Sequence, residues 1–189
     1  VMFGLALPLT PVQILWINMV TSVALGLVLA FEPTEPGTMQ RPPRRIGDSI
    51  ITPFMLWRIV FVSMMFLCGT FGMYFYALSK ELPIEAAHTL VVNVIVVLEI
   101  FYLFSVRYVH GTSLTLRGVL GTPPVLIGVL AITVAQLTLT YTPFLQKTFG
   151  TYPVAFEDGI LVIAAGIVFL LVIELEKRIR HVLQPKVSL

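Results

Sequence analysis

The chain is 189 residues long, with 57% hydrophobic residues, 12% charged residues and a formal net charge of +2. Soluble domains carry about 25% charged residues, so this composition excludes an ordinary water-soluble enzyme, and the apolar content excludes a disordered chain. Lys and Arg are scattered between apolar blocks, which argues against a nucleic-acid partner; the solvent that suits this chain is a lipid bilayer.

In chain order, the opening VMFGLALPLT is too short to span a membrane and is read as the tail of a structure that begins before residue 1. No secretory signal pattern is present. Predominantly apolar runs of about 20 residues, with at most one charged residue each and long enough to cross ~30 Å of hydrocarbon, fall at 13–31, 53–78, 88–106, 123–141 and 159–175. They predict an all-α, integral, multi-pass bundle of five transmembrane helices. Arg41, Arg44, Arg45, Arg58, Arg107, Arg117, Lys177, Arg178, Arg180 and Lys186 fall on one side of such a bundle, with only Lys80 and Lys147 on the other. By the positive-inside rule this puts the N-terminus outside and the C-terminus in the cytoplasm. Trp16, Tyr74, Tyr76, Tyr108 and Tyr141 are expected at headgroup level near span ends. The single cysteine, Cys68, is expected in the core; without a second thiol it offers no disulfide or cysteine metal cluster.

Between the first two spans, residues 32–52 carry four prolines (Pro33, Pro36, Pro42, Pro43) and two glycines, which forbid a continuous helix. Their three acids, Glu32, Glu35 and Asp48, balance Arg41, Arg44 and Arg45, so the loop reads either as a docking surface for protein or as a solvated linker. In the next loop on that side, His110 has no neighbour at metal-ligand spacing and reads as a surface histidine. After the last span, Glu174 and Arg178, like Glu176 and Arg180, stand at i,i+4 and are expected to pair as an interfacial end cap.

Polar side chains at membrane depth are the candidate functional groups, because burying them in hydrocarbon is costly. In the first span Asn18, Thr21 and Ser22 follow i, i+3 and i+4 and share one stripe. Together with backbone carbonyls they would form an oxygen-rich patch suited to a hard cation; the same residues could instead hydrogen-bond a neighbouring helix. Glu99, in VVNVIVVLEIFYLFSV, reads as the only acid deep in any span and needs either a cation or a hydrogen-bonded neighbour. Asn93 lies about 120° around that helix from Glu99 and is expected to act as packing glue. Thr133, Gln136 and Thr140 share a face in the fourth span and are also expected to bridge helices by hydrogen bonds. Gly69, Gly72, Gly128 and Gly166 read as close-packing positions. Glycine-rich phosphate loops, HExxH and GxSxG are absent and no soluble domain is large enough to hold a nucleotide, so the chain is read as carrying no catalytic domain or cofactor.

The ordered stretch PLTPVQILWINMVTSVALGLVLAFEPTEPGTMQRPPR resembles the sixth transmembrane helix and following cytoplasmic loop of cation-transporting P-type ATPases of the calcium-pump-like class. LEIFYLF resembles the eighth helix of that family. YTPFLQKTFGTYP and the apolar span ending ELEKRIRH resemble the ninth-to-tenth helix end of bacterial members. The resemblance implies that residues 1–189 are the C-terminal transport domain, helices six to ten, of an ATP-driven pump in a bacterial plasma membrane. It implies that Asn18, Thr21 and Glu99 are cation ligands, with Ser22 standing where calcium pumps have a shared Asp, and that 32–52 is a coupling loop. The partners it implies are helices one to five and the phosphorylation, nucleotide and actuator domains of the same pump, where ATP and Mg2+ would bind. A self-standing five-span channel or carrier, or a structural membrane subunit, remains the alternative at the level of sequence.

Overall fold

The computed structural model describes residues 7–19, 23–31, 51–107 and 122–183, and among these it is entirely helical. The elements are α1 (Pro11–Ile17), α2 (Val23–Ala30), α3 (Pro53–Ser79), α4 (Ile84–Val106), α5 (Pro123–Tyr141), α6 (Pro143–Phe149) and α7 (Phe156–Leu183). Proline at the first helical position, where no N–H is needed, opens α1, α3, α5 and α6. Thr10 and Gln13 form a reciprocal capping box at the start of α1, so two otherwise orphaned N–H groups are satisfied there. Gly150 ends α6 with φ at 62°, a left-handed conformation that glycine adopts without steric cost.

Four helices, α3, α4, α5 and α7, are long and apolar enough to cross a membrane. The first expected span, 13–31, is represented by two shorter helices, α1 and α2, and residues 20–22 between them lie outside the described residues. Elsewhere the expected spans hold, with α4 starting four residues earlier than the apolar run and α7 continuing to Leu183.

The bundle is organised around α4, half of whose membrane-length window is buried, against 11% for α3. It packs on α3, α7, α5 and α1, and its side chains enter three clusters. Leu90, Val91, Val94 and Leu98 pack with Tyr74 of α3 and Phe169 and Ile173 of α7. Val92 packs with Ile17 of α1 and Leu139 of α5. Leu103 joins Val28 of α2 and Val125 of α5. Outward positions such as Ile127, Leu130 and Val134 on α5 and Ile163, Ile167 and Val168 on α7 remain exposed, as befits surfaces that meet lipid or further helices.

Small residues permit the closest approaches. A Cβ at Gly128 would lie 2.2 Å from Val28 Cγ2, and one at Gly166 would lie 2.5 Å from the Phe101 ring. Gly69 faces Leu98 in the same way, but Gly72 has nothing within 4 Å and is not a packing glycine. Two further expectations are corrected. Cys68 is exposed on the outer face of α3, which packs only one narrow side against α4. Tyr74 is 2% exposed because its position on α3 falls on that packed side, so it belongs to the core rather than to a headgroup belt.

Candidate functional site

Asn18 caps the C-terminal end of α1, where its backbone N–H is shared between the carbonyls of Ile14 and Leu15. The helix widens into a π-type turn at residues 18–19, a distortion frequent at functional positions, and the Asn18 side chain is exposed. Glu99 is half-buried in the middle of α4. Thr21 and Ser22, the coupling-loop residues Arg41, Arg44 and Arg45, and His110 and Tyr108 lie outside the described residues. Among the described residues no three His, Cys, Asp or Glu side chains gather as a metal cluster.

The position of Glu99 follows from its neighbours along the helix. It stands seven residues after Val92 and four before Leu103, spacings that return to the same helical face. Val92 shares a cluster with Ile17 at the end of α1, and Leu103 shares one with Val28 near the end of α2. α1 and α2 therefore follow one another along the bundle in the same sense as α4. Glu99 occupies the α4 stripe between these two clusters, and residues 18–27 lie between Ile17 and Val28 in the sequence.

A hydrogen-bond relay ties this region together. Trp16 Nε1 donates to Gln136 Oε1 at 3.1 Å, and Gln136 Nε2 donates to Asn93 Oδ1 at 2.9 Å. Thr140 Oγ1 stands 3.2 Å from Asn93 Oδ1 and 2.9 Å from the Gln136 carbonyl, and its one proton serves one of them at a time. Asn93, Gln136 and Thr140 thus bridge helices as their positions suggested. Thr133 does not: its hydroxyl donates to Val129 O within its own helix. Trp16 departs from the expected headgroup role, since its indole N–H is spent inside the bundle and its ring meets Phe149 edge-on at 5.2 Å. Buried Gln13 adds a second tie, with Nε2 donating to Phe149 O at 3.1 Å.

Polar clusters close both ends. At the end bearing Arg107, Lys177 Nζ lies 2.8 Å from Glu174 Oε1 and donates to Ser105 O at 2.8 Å. Arg58 reaches the Ser105 hydroxyl at 3.5 Å. Glu174 is 1% exposed although it stands near the end of its span, and it takes Lys177 as an ion-pair partner where Arg178 was expected. Glu176 does pair with Arg180. It also accepts from Trp57 Nε1 at 3.2 Å. At the opposite end Lys80 Nζ and the Tyr76 hydroxyl both donate to Asp158 Oδ1, at 2.8 and 2.9 Å. The Asp158 contact is the main reason the Lys80 ammonium titrates above the ordinary lysine range.

Among the described residues, Glu99 on α4 and Asn18 at the end of α1 are the candidate ligands whose places the structure gives, a half-buried carboxylate and an exposed amide. Residues 6–179 match the family model described as "Cation transporting ATPase, C-terminus". Over 151 residues, 80% of this chain and 17% of the relative, the sequence is 39% identical to the probable cation-transporting ATPase F of Mycobacterium tuberculosis. It is 29% identical over 166 residues to the cation-transporting ATPase pma1 of Synechocystis, covering 84% of this chain and 18% of that protein. It is 27% identical over 184 residues to the calcium-transporting ATPase type 2C member 1 of Pongo abelii, covering 96% of this chain and 20% of that protein. The chain thus spans about a fifth or less of the length of these relatives.

Proposed function

The chain belongs to the C-terminal family of cation-transporting P-type ATPases, and from this premise we propose that it forms part of the cation pathway of such a pump, with Glu99, Asn18, Thr21 and Ser22 as ligands of the transported ion. The observation that carries the reading is the place of Glu99 on α4, on the stripe between Val92, which shares a cluster with Ile17, and Leu103, which shares one with Val28. A carboxylate at membrane depth is costly unless it meets a cation or a hydrogen-bonding partner, and the sequence between Ile17 and Val28 carries Asn18, Thr21 and Ser22. Membership in this family disfavours a self-standing channel or a purely structural subunit.

In this reading the pump sits in a bacterial plasma membrane, as the mycobacterial and cyanobacterial relatives suggest, with the Arg107 end of the bundle in the cytoplasm. The described basic residues support that orientation: Arg58, Arg107, Lys177, Arg178 and Arg180 lie toward one end, and Lys80 and Lys147 toward the other. ATP and Mg2+ act in domains outside this segment, and residues 32–52 couple them to the helix that carries Asn18. Ser22 contributes a neutral oxygen, which lowers the charge available to a divalent ion.

The test is phosphoenzyme formation from ATP in a pump carrying this segment, titrated with Ca2+, Na+, K+ and protons in turn. Glu99→Gln is expected to raise the half-saturating concentration of the activating ion at least tenfold. Unchanged ion dependence in that variant, or no activation by any of the four, would overturn the assignment.

A further inference from the structure

We infer that Gln136 is a positioning residue, which sets the spacing and rotation of the two ion-ligand helices without touching the ion. The inference rests on the preceding reading of Asn18 and Glu99 as ligands. Gln136 is bonded on both sides of its amide: Oε1 accepts from Trp16, two residues before Asn18, and Nε2 donates to Asn93, six residues before Glu99. One side chain from α5 therefore ties α1 to α4 near the level where the proposed ligands begin.

The chemistry of the contacts separates their roles. The Ile17–Val92 contact in the same cluster is apolar and limits how closely α1 and α4 approach, but apolar packing is non-directional. Hydrogen bonds weaken steeply away from linearity, so the Trp16–Gln136–Asn93 relay fixes the rotation of α1 about its axis and hence the bearing of Asn18. Gln136 is 7% exposed, so water does not compete for its amide. The two ends of the relay are themselves held: Trp16 by the Phe149 ring, and Asn93 by Thr140. Groups bonded directly to ion ligands change affinity by about 10–100-fold when removed; Gln136 acts one bond further out, through Trp16 and Asn93, so the lower end of that range is expected.

The experiment compares Gln136→Leu, Trp16→Phe, their double variant and Glu99→Gln in a pump carrying this segment, using whichever of Ca2+, Na+, K+ or protons drives its phosphorylation. Gln136→Leu and Trp16→Phe are each expected to raise the half-saturating ion concentration about tenfold, with the maximal phosphoenzyme level retained. The double variant is expected to be no worse than either single one, because both break one relay. Loss of packing alone would lower the melting temperature equally with and without the ion and leave half-saturation unmoved. Unmoved half-saturation together with a strong Glu99→Gln effect would overturn the positioning role and leave the ion site standing. An ineffective Glu99→Gln would overturn the site, and the positioning role with it. Should Gln136→Leu fail to insert, Trp16→Phe decides the matter, since its ring still packs on Phe149.

Discussion

Lys177 of α7 donates to the backbone carbonyl of Ser105 at 2.8 Å while its ammonium lies 2.8 Å from Glu174. The lysine thereby satisfies one of the last carbonyls of α4, groups that a helix cannot bond internally, and balances a buried acid at the same point. Removing one member of a buried ion pair leaves an uncompensated charge and costs about 3–5 kcal/mol, whereas replacing both is often near neutral. Lys177→Met should therefore lower the melting temperature of the detergent-solubilised protein more than the double variant Lys177→Met with Glu174→Gln. Equal losses would mean that the two residues do not act as a pair.

Steric contact at Gly128 predicts a second result. Its absent Cβ would lie 2.2 Å from Val28 Cγ2, so Gly128→Ala should destabilise the bundle by about 1–3 kcal/mol, the usual cost of overpacking. Val28→Ala in the same chain should restore much of the loss. Gly72→Ala, with open space around it, serves as the control and should be neutral or slightly stabilising in a helix.

A pH prediction comes from Lys80, which Asp158 holds above the ordinary lysine range. A raised value in the folded state means that the stabilising charge is fully present below about pH 10.4, the unfolded lysine value, and is lost as pH climbs through the folded value. The melting-temperature gap between the unmodified protein and Lys80→Met should stay constant from pH 6 to 9 and shrink above the unfolded value. A gap that narrows toward pH 6 instead would contradict this assignment.

Much of the bundle is legible in the sequence because α4, α5 and α7 are long, strongly apolar along most of their length and bounded by proline or polar turns. Interhelical amides such as Asn93 and Gln136 are legible too, since a polar side chain at membrane depth must find a partner. Glu174 and Trp16 were misread for a shared reason: position near a span end cannot separate a side chain that reaches water from one that turns inward. Cys68 and Tyr74 show the same limit for an amphipathic choice. On an all-apolar helix such as α3, hydrophobicity alone does not say which stripe faces the protein.

Ser22 predicts ion preference. Replacing its neutral hydroxyl by a carboxylate, Ser22→Asp, should favour divalent over monovalent ions, with Ca2+ affinity rising about tenfold through added ligand charge. Equilibrium binding in the pump that carries this segment measures it. Tight binding of two Ca2+ ions by the unmodified protein would contradict the premise.

Coupling through residues 32–52 makes a kinetic prediction distinct from the site predictions. Arg41, Arg44 and Arg45 can form charge-assisted hydrogen bonds with acidic groups of a phosphorylation domain. Replacing all three with Ala should slow phosphoenzyme formation or turnover severalfold while leaving equilibrium ion affinity unchanged. Unmodified rates with normal insertion would reduce the loop to a tether.

Two of the apolar clusters sit at matched intervals along the bundle. Ile17 and Val28 are eleven residues apart, as are Val92 and Leu103, so sliding α4 along its neighbours would disturb both clusters at once, like a ruler moved off two marks together. In the proposed pump this leaves bending as the cheaper movement between the two levels.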